Sequence, residues 1–357
     1  MIFYLVIFIF LVLLRYALQQ KPRVRVQIYP LVLFALFLFA AFRFEVGCDW
    51  SGYFNQYKTQ SYSTFDKALA QQEPLWWALM EGIHQLDLAY PWVNVLSSGF
   101  FFYGVHVLAR RQPDPLGFLV LLFPVLIINL PMSGIRQGAA IGILCIAFVA
   151  FMDKRLLRFV VLTLLASTIH SSAIVFLLLA PLVQGEFTKK RLAAAAALAV
   201  PGTLVLLSGE AAQLATTRYV GTGVDALGAA FRVGLLLITG GAYFWLLRTK
   251  WRQSYLQDYK LVSVGALIML GMLLLLPISS VIGDRLGYYL VPIQAMIFAR
   301  IPYLPIRKNK AFLSAAPYLG FGLMFIVWIY FSWHFNKCYV PYDTWLFGIP
   351  DYSKFKF

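Results

Sequence analysis

Long apolar runs recur along the whole chain and are broken by short turns that carry most of its lysines and arginines. A helix needs about 20 apolar residues to cross a hydrocarbon core, and a spanning segment must satisfy its own backbone hydrogen bonds. The pattern therefore predicts an all-α, polytopic membrane protein of about 12 transmembrane helices. Candidate spans lie near 2–19, 27–43, 91–109, 115–131, 133–152, 156–169, 171–184, 192–208, 227–247, 260–278, 286–301 and 311–333. The opening run lacks a basic leader and a small-residue cleavage site, so it is expected to be the first span. Hydrophobic residues make up 61% of the sequence and charged residues 13%, against about 25% charged in soluble domains. No long polar block stands apart, so residues 1–357 are expected to form one transmembrane domain. It includes an outer loop and interfacial helix at about 44–90, where the segment 73–87 is too polar to span alone.

The net charge of +15 does not point to nucleic acid, because its distribution follows the turns. With the N-terminus outside, alternate loops at 15–25, 110–111, 154–158, 189–191, 248–260 and 300–310 hold 20 of the 30 lysines and arginines. The positive-inside rule selects this orientation, with both termini non-cytoplasmic. Gly138 and Gly142 resemble a small-xxx-small helix-packing face. The three cysteines form no CxxC pair. Cys48 and Cys338 both fall on the outer side, where a disulfide can form, but spacing alone does not pair them.

The remaining basic residues are the informative ones. Arg43, Arg136 and Arg285 fall at outer span ends, near Glu45, Asp49, Glu73, Gln137, His170 and Asp284. Charge at the end of a span is costly unless it braces helices or serves a site. Guanidinium groups bind phosphate oxygens through two parallel hydrogen bonds, which suits a lipid-linked phosphate. The run Ser133-Gly134-Ile135-Arg136-Gln137-Gly138 opens a helix, where amide N–H groups favour an anion. The loop 44–72 interleaves Trp50, Tyr53, Phe54, Tyr57, Tyr62 and Phe65 with polar residues. Such rings suit sugar faces, while composition alone favours an aromatic belt at the headgroups. His170 can serve as a general base or as a satisfied residue at a helix end.

Taken together, these stretches resemble the EpsG family of Wzy-like polysaccharide polymerases. The resemblance rests on Arg43-Phe44-Glu45-Val46-Gly47-Cys48-Asp49-Trp50 with Tyr53, on Glu73-Pro74, and on Ser133-x-Ile135-Arg136-Gln137. His170-x-Ser172-Ala173 and Asp284-Arg285 with Tyr288-Tyr289 complete it. It implies a bacterial cytoplasmic-membrane glycosyltransferase whose outer-face cavity opens to the periplasm or exterior. Such an enzyme joins undecaprenyl-diphosphate-linked repeat units into O-antigen, capsule or exopolysaccharide. Donor and acceptor glycans are then its partners with the bilayer, and a chain-length regulator protein is a further candidate. On this reading His170, Asp49 and Glu45 are the catalytic candidates, with His170 preferred over Asp49 as base. Arg136, Arg285, Arg43 and Gln137 are expected at the diphosphate, Arg43 alternatively bracing Glu45 or Asp49. Trp50, Tyr53, Glu73 and Tyr288 are expected at the sugar. No Asp-rich metal motif is present, so neither metal nor cofactor is expected. The alternatives are an O-antigen ligase-like transferase and a lipid-linked oligosaccharide flippase. The one-sided crowding of charge argues against the flippase, which would carry charges along a central pathway.

Overall fold

The computed structural model describes residues 1–60, 64–186, 188–193, 197, 228–275 and 280–348. Within them the chain is helical, without strands; one isolated bridge joins Arg43 to Thr344. The expected apolar segments are helices wherever they fall in these residues, whereas the segment 192–208 lies almost wholly outside them. Among the described residues five helices are long and apolar enough to cross a membrane: Pro22–Ala41, Pro91–Ala109, Ile135–Met152, Ala229–Ser254 and Lys310–Phe331. Others are shorter, such as Leu156–Ser167 with 12 residues, about 18 Å at 1.5 Å per residue.

The chain packs as two compact units. The first comprises Met1–Ile146, Leu164–Ala173 and Ala315–Phe357. It contains α1 (Ile2–Ala17), α2 (Pro22–Ala41), α3 (Trp50–Gln60), α4 (Phe65–Leu69), α5 (Pro74–Gln85), α6 (Pro91–Ala109) and α7 (Pro115–Leu122), which continues as a π-helical turn over Phe123–Ile127. The helix α8 (Ile135–Met152) starts here. Proline at the first or second position of α2, α5, α6 and α7 pre-sets the helical φ where no N–H partner is lost.

Two glycines set the approach of α6 to α8. A Cβ on Gly104 would lie 1.7 Å from the Gly142 carbonyl oxygen, and one on Gly142 would lie 2.3 Å from that of Phe100. The backbones therefore touch directly, as small residues allow between membrane helices. Gly138 packs instead against the backbone of Leu130 and Pro131, so the pair expected on one face serves two neighbours.

Several basic residues at the predicted cytoplasmic turns are also buried braces. The Asp114 carboxylate caps α7 through the Gly117 N–H and accepts the Arg15 Nε–H at 3.1 Å. Arg25 donates to the Pro113 carbonyl and sits 3.6 Å from the same carboxylate.

The second unit comprises Ala147–Thr163 and Ile174–Ser314. It includes α9 (Leu156–Ser167, which ends in the first unit), α10 (Ala180–Val183), α11 (Ala229–Ala242), α12 (Arg248–Ser254), α13 (Tyr259–Leu275) and α14 (Ser280–Arg300). The helices α11, α13 and α14 pack on one another. Polar bridges join them: Tyr243 to Ser263 at 2.8 Å and Gln294 to Thr239 at 2.7 Å. Such bonds satisfy side chains that lipid cannot. The Lys260 ammonium caps the end of α10 by donating to the Leu182, Val183 and Gly185 carbonyls.

The helix α15 (Lys310–Phe331) returns the chain to the first unit, where α16 (Trp333–Tyr339) follows. Phe44 N–H donates to Asp343 O, and Trp345 N–H to Phe42 O. Cys48 and Cys338 are disulfide-bonded, with Cα atoms 4.7 Å apart.

Gly104→Ala and Gly142→Ala should each lower the melting temperature of the purified protein, by about 1–3 kcal/mol of overpacking. Gly99→Ala, in the same helix α6 with open space at its Cβ, should not; equal losses at all three would remove the close contact as the cause.

Candidate active site

Glu73 is the centre of the candidate site. It precedes Pro74 at the start of α5 but makes no side-chain cap there. The Leu75 and Trp76 N–H groups donate instead to the Thr168 carbonyl, at 3.0 and 3.4 Å. This substitute cap leaves the Glu73 carboxylate available for other partners. One oxygen accepts the Ser171 N–H at 2.8 Å and lies 3.0 Å from His170 Nδ1. The other accepts an Arg136 Nη1–H at 2.7 Å. His170 occupies the joint between the end of α9 and the 3₁₀ helix Ser171–Leu179, so the break between two short helices presents it.

Burial by itself would raise the Glu73 pKa. The His170 hydrogen bond and charge, Arg136 and the Ser171 N–H outweigh burial and hold it at about 2. An ionised carboxylate can only accept, so its bond to His170 requires the proton on Nδ1. In the neutral imidazole that tautomer puts the lone pair on Nε2.

Arg136, in the first turn of α8, lies with its guanidinium carbon 5.5 Å from the Tyr53 ring centroid. Tyr53 is itself buried and packs edge-on to Trp76. Burial raises the Tyr53 pKa, with Arg136 opposing. The Arg136 side chain stays 28% exposed, against 9% for Glu73 and 12% for His170. Its buried Nε–H meets no acceptor among the described residues. Arg136 is thus the member of the trio with the most surface left for an anion.

Asp49 is exposed and seated on Ser133, whose hydroxyl donates to its carboxylate at 3.2 Å. His170 takes its carboxylate from Glu73, not from Asp49. The approach to α8 also departs from expectation. The Ser133, Gly134 and Ile135 amides donate to Leu130, Asn129 and Ser133 carbonyls, so these three are spent within the turn.

Arg43 is not available to a diphosphate. It is fully buried and donates to the Ala40, Val46 and Met132 carbonyls and to Asn94 Oδ1. It braces backbone rather than Glu45 or Asp49. Glu45 is exposed, with φ 52°. Gln137 is buried. Trp50 is no open sugar platform either: it is buried against Phe44, Phe54 and Tyr90. Trp50, Tyr53 and Tyr57 of the aromatic loop are packed inward, whereas Phe65 is exposed and Tyr62 lies outside the described residues. Glu73, expected at a sugar, has its carboxylate committed to protein partners.

Arg285 and Tyr288 belong to the second unit. Arg285 is exposed. Tyr288 is buried beneath the Arg232 guanidinium at 5.4 Å, and Arg232 holds Asp284 through two bonds of 2.5 and 2.9 Å. Arg232 and Ser133 escaped the sequence reading as partners of carboxylates. Glu73-Pro74 was visible as a helix start, but its actual partners were not.

The EpsG family model matches residues 26–344, nearly the whole chain. The chain belongs to the EpsG family. Membership points to a membrane polysaccharide polymerase-type function and a glycosyltransferase-like activity. The match spans Arg43, Asp49, Glu73, Arg136 and His170. No curated protein and no solved structure matches the chain.

Because Glu73 titrates at about 2 when folded, below its ordinary 4.5, its contribution to stability is full above about pH 4.5 and is lost as pH falls toward 2. The melting temperature of the native protein should therefore exceed that of Glu73→Gln at neutral pH and converge with it in acid. A gap that stays constant down to pH 2 would contradict the ionised cluster.

Proposed function

We propose that this EpsG-family protein is a glycosyltransferase that polymerises undecaprenyl-diphosphate-linked repeat units on the outer face of the bacterial cytoplasmic membrane. The observation that carries the reading is the Arg136–Glu73–His170 constellation, which sets a cation and an oriented base side by side. The acceptor hydroxyl gives its proton to His170 Nε2 as its oxygen attacks the anomeric carbon of the donor glycan. The bond from that carbon to the lipid diphosphate breaks, and its electron pair leaves on the diphosphate. Arg136 stabilises the charge gathering there, a task suited to a guanidinium held in place before the reaction. The exposure of Asp49 on Ser133 supports a contact with sugar hydroxyls. The reading rests on the first unit alone.

Orientation is supported by two independent features. The basic turns favour non-cytoplasmic termini for a bundle of about 12 spans. The disulfide between Cys48 and Cys338 belongs to an oxidising compartment, and it ties the loop that carries Asp49 to the C-terminal segment. An O-antigen ligase-like transferase would use the same donor chemistry with another acceptor. Glycan analysis after deletion separates a polymerase from a flippase: loss of a polymerase leaves single repeats at the surface, and loss of a flippase leaves none.

Arg136→Lys keeps the charge but loses the planar fork, so chain growth should drop about 100-fold or more with normal membrane expression. His170→Ala should cost about 10²–10⁴-fold. Full activity in Arg136→Ala or His170→Ala would remove that residue from the reaction. Reporter fusions after Tyr57 and after Tyr342 should both behave as exported; cytoplasmic reporter activity at either would reverse the orientation.

A further inference from the structure

One carboxylate serves both halves of the candidate site. Glu73 lends one oxygen to His170 and the Ser171 N–H and the other to Arg136. These partners arrive from three places in the chain: the start of α5, the joint after α9, and the first turn of α8. Tyr53 stands beside the trio and carries Arg136 on its ring, and Asp49 is held on Ser133, three residues before Arg136 in the chain.

The two contacts have opposite consequences for a diphosphate donor. At His170 the carboxylate fixes the proton on Nδ1 and presents the Nε2 lone pair, and it stabilises the imidazolium that forms when a hydroxyl is deprotonated. At Arg136 it occupies a guanidinium edge that an incoming phosphate would otherwise use, and its negative charge opposes the anion. A group that touched the sugar would lack this opposition, since its removal would only weaken binding.

We propose that Glu73 is a positioning residue that orients His170 for proton abstraction while competing with the donor diphosphate for Arg136. The proposal rests on the polymerase reading above and assigns Glu73 a role apart from sugar contact. It makes donor binding deliberately incomplete. Some affinity at Arg136 is given up so that the clamp and the base stay in register. Binding energy that is not realised in the ground state is compatible with faster turnover.

The test uses the full-length protein in nanodiscs with ¹⁵N-labelled histidine, and farnesyl diphosphate as the probe. The sequence has four histidines, and His170→Gln identifies the His170 signal. In the native protein His170 should be the Nδ1–H tautomer. An Nε2–H tautomer overturns the proposal whatever any variant does. In Glu73→Gln the Nδ1–H preference should be lost, with the signals of His84, His106 and His334 unchanged as the control for folding. Farnesyl diphosphate should bind Glu73→Gln a few-fold more tightly, while chain growth in membranes falls about as far as in His170→Gln. Binding about tenfold weaker in that variant, a loss of about 1.4 kcal/mol, would make Glu73 a ligand contact and overturn the competition with the donor. The expected tautomer change together with full chain growth in His170→Gln would uphold the positioning of the imidazole and remove His170 as the base.

Discussion

The first unit depends on the burial of one guanidinium. Arg43 sits just past the end of α2, without solvent contact, and spends its donors on Ala40, Val46, Met132 and Asn94. Those acceptors come from the end of α2, the following loop, the approach to α8 and the first half of α6. Removing the side chain would leave buried carbonyls without donors, each at a cost of about 1–3 kcal/mol. Lysine could not replace its planar fork. Gly47 completes the knot: its φ is +109°, and a Cβ there would lie 1.8 Å from the Met132 oxygen. The loop is thereby pressed against the turn that leads to Arg136, and Asp49 reaches Ser133.

The C-terminal segment closes the same knot from the other side. The Arg43–Thr344 bridge, the Gly47 N–H bond to Cys338 O and the Cys48–Cys338 disulfide bind residues separated by nearly the whole chain. Tyr4 adds α1 by donating its hydroxyl to the Tyr339 carbonyl. The candidate site is therefore carried on a scaffold assembled from the first, middle and last parts of the sequence. Charge is managed locally throughout. Asp114 takes Arg15, Asp258 takes Arg300, Asp284 takes Arg232 and Glu73 takes Arg136. A buried ion needs such a partner, or a set of acceptors like that around Arg43, because desolvation otherwise outweighs its attraction to the fold.

The fold class was legible because lipid imposes a simple rule. Long apolar runs must become helices that satisfy their own backbone, and Pro22, Pro91 and Pro115 mark where three of them start. Arg136, Glu73 and His170 stood out because charge and imidazole at span ends are costly without a purpose. The sequence alone did not show which charge meets which. Arg43 and Arg136 look alike in sequence as arginines at span ends, yet one is buried in carbonyls and the other is partly open.

That difference arises from contacts distant in sequence. Thr168, nearly a hundred residues from α5, supplies the cap that frees the Glu73 carboxylate, and Met132 supplies the carbonyl that engages Arg43. The aromatic loop followed the same logic: Trp50 and Tyr57 found partners in Tyr90 and His84 and packed inward, where composition alone left a sugar platform open. Hydropathy and turn chemistry are local properties, so the sequence by itself determined the helices and the residue types able to bind an anion or move a proton. Hydrogen-bond partners are a property of packed space, so only the tertiary structure decided that Glu73 joins Arg136 to His170.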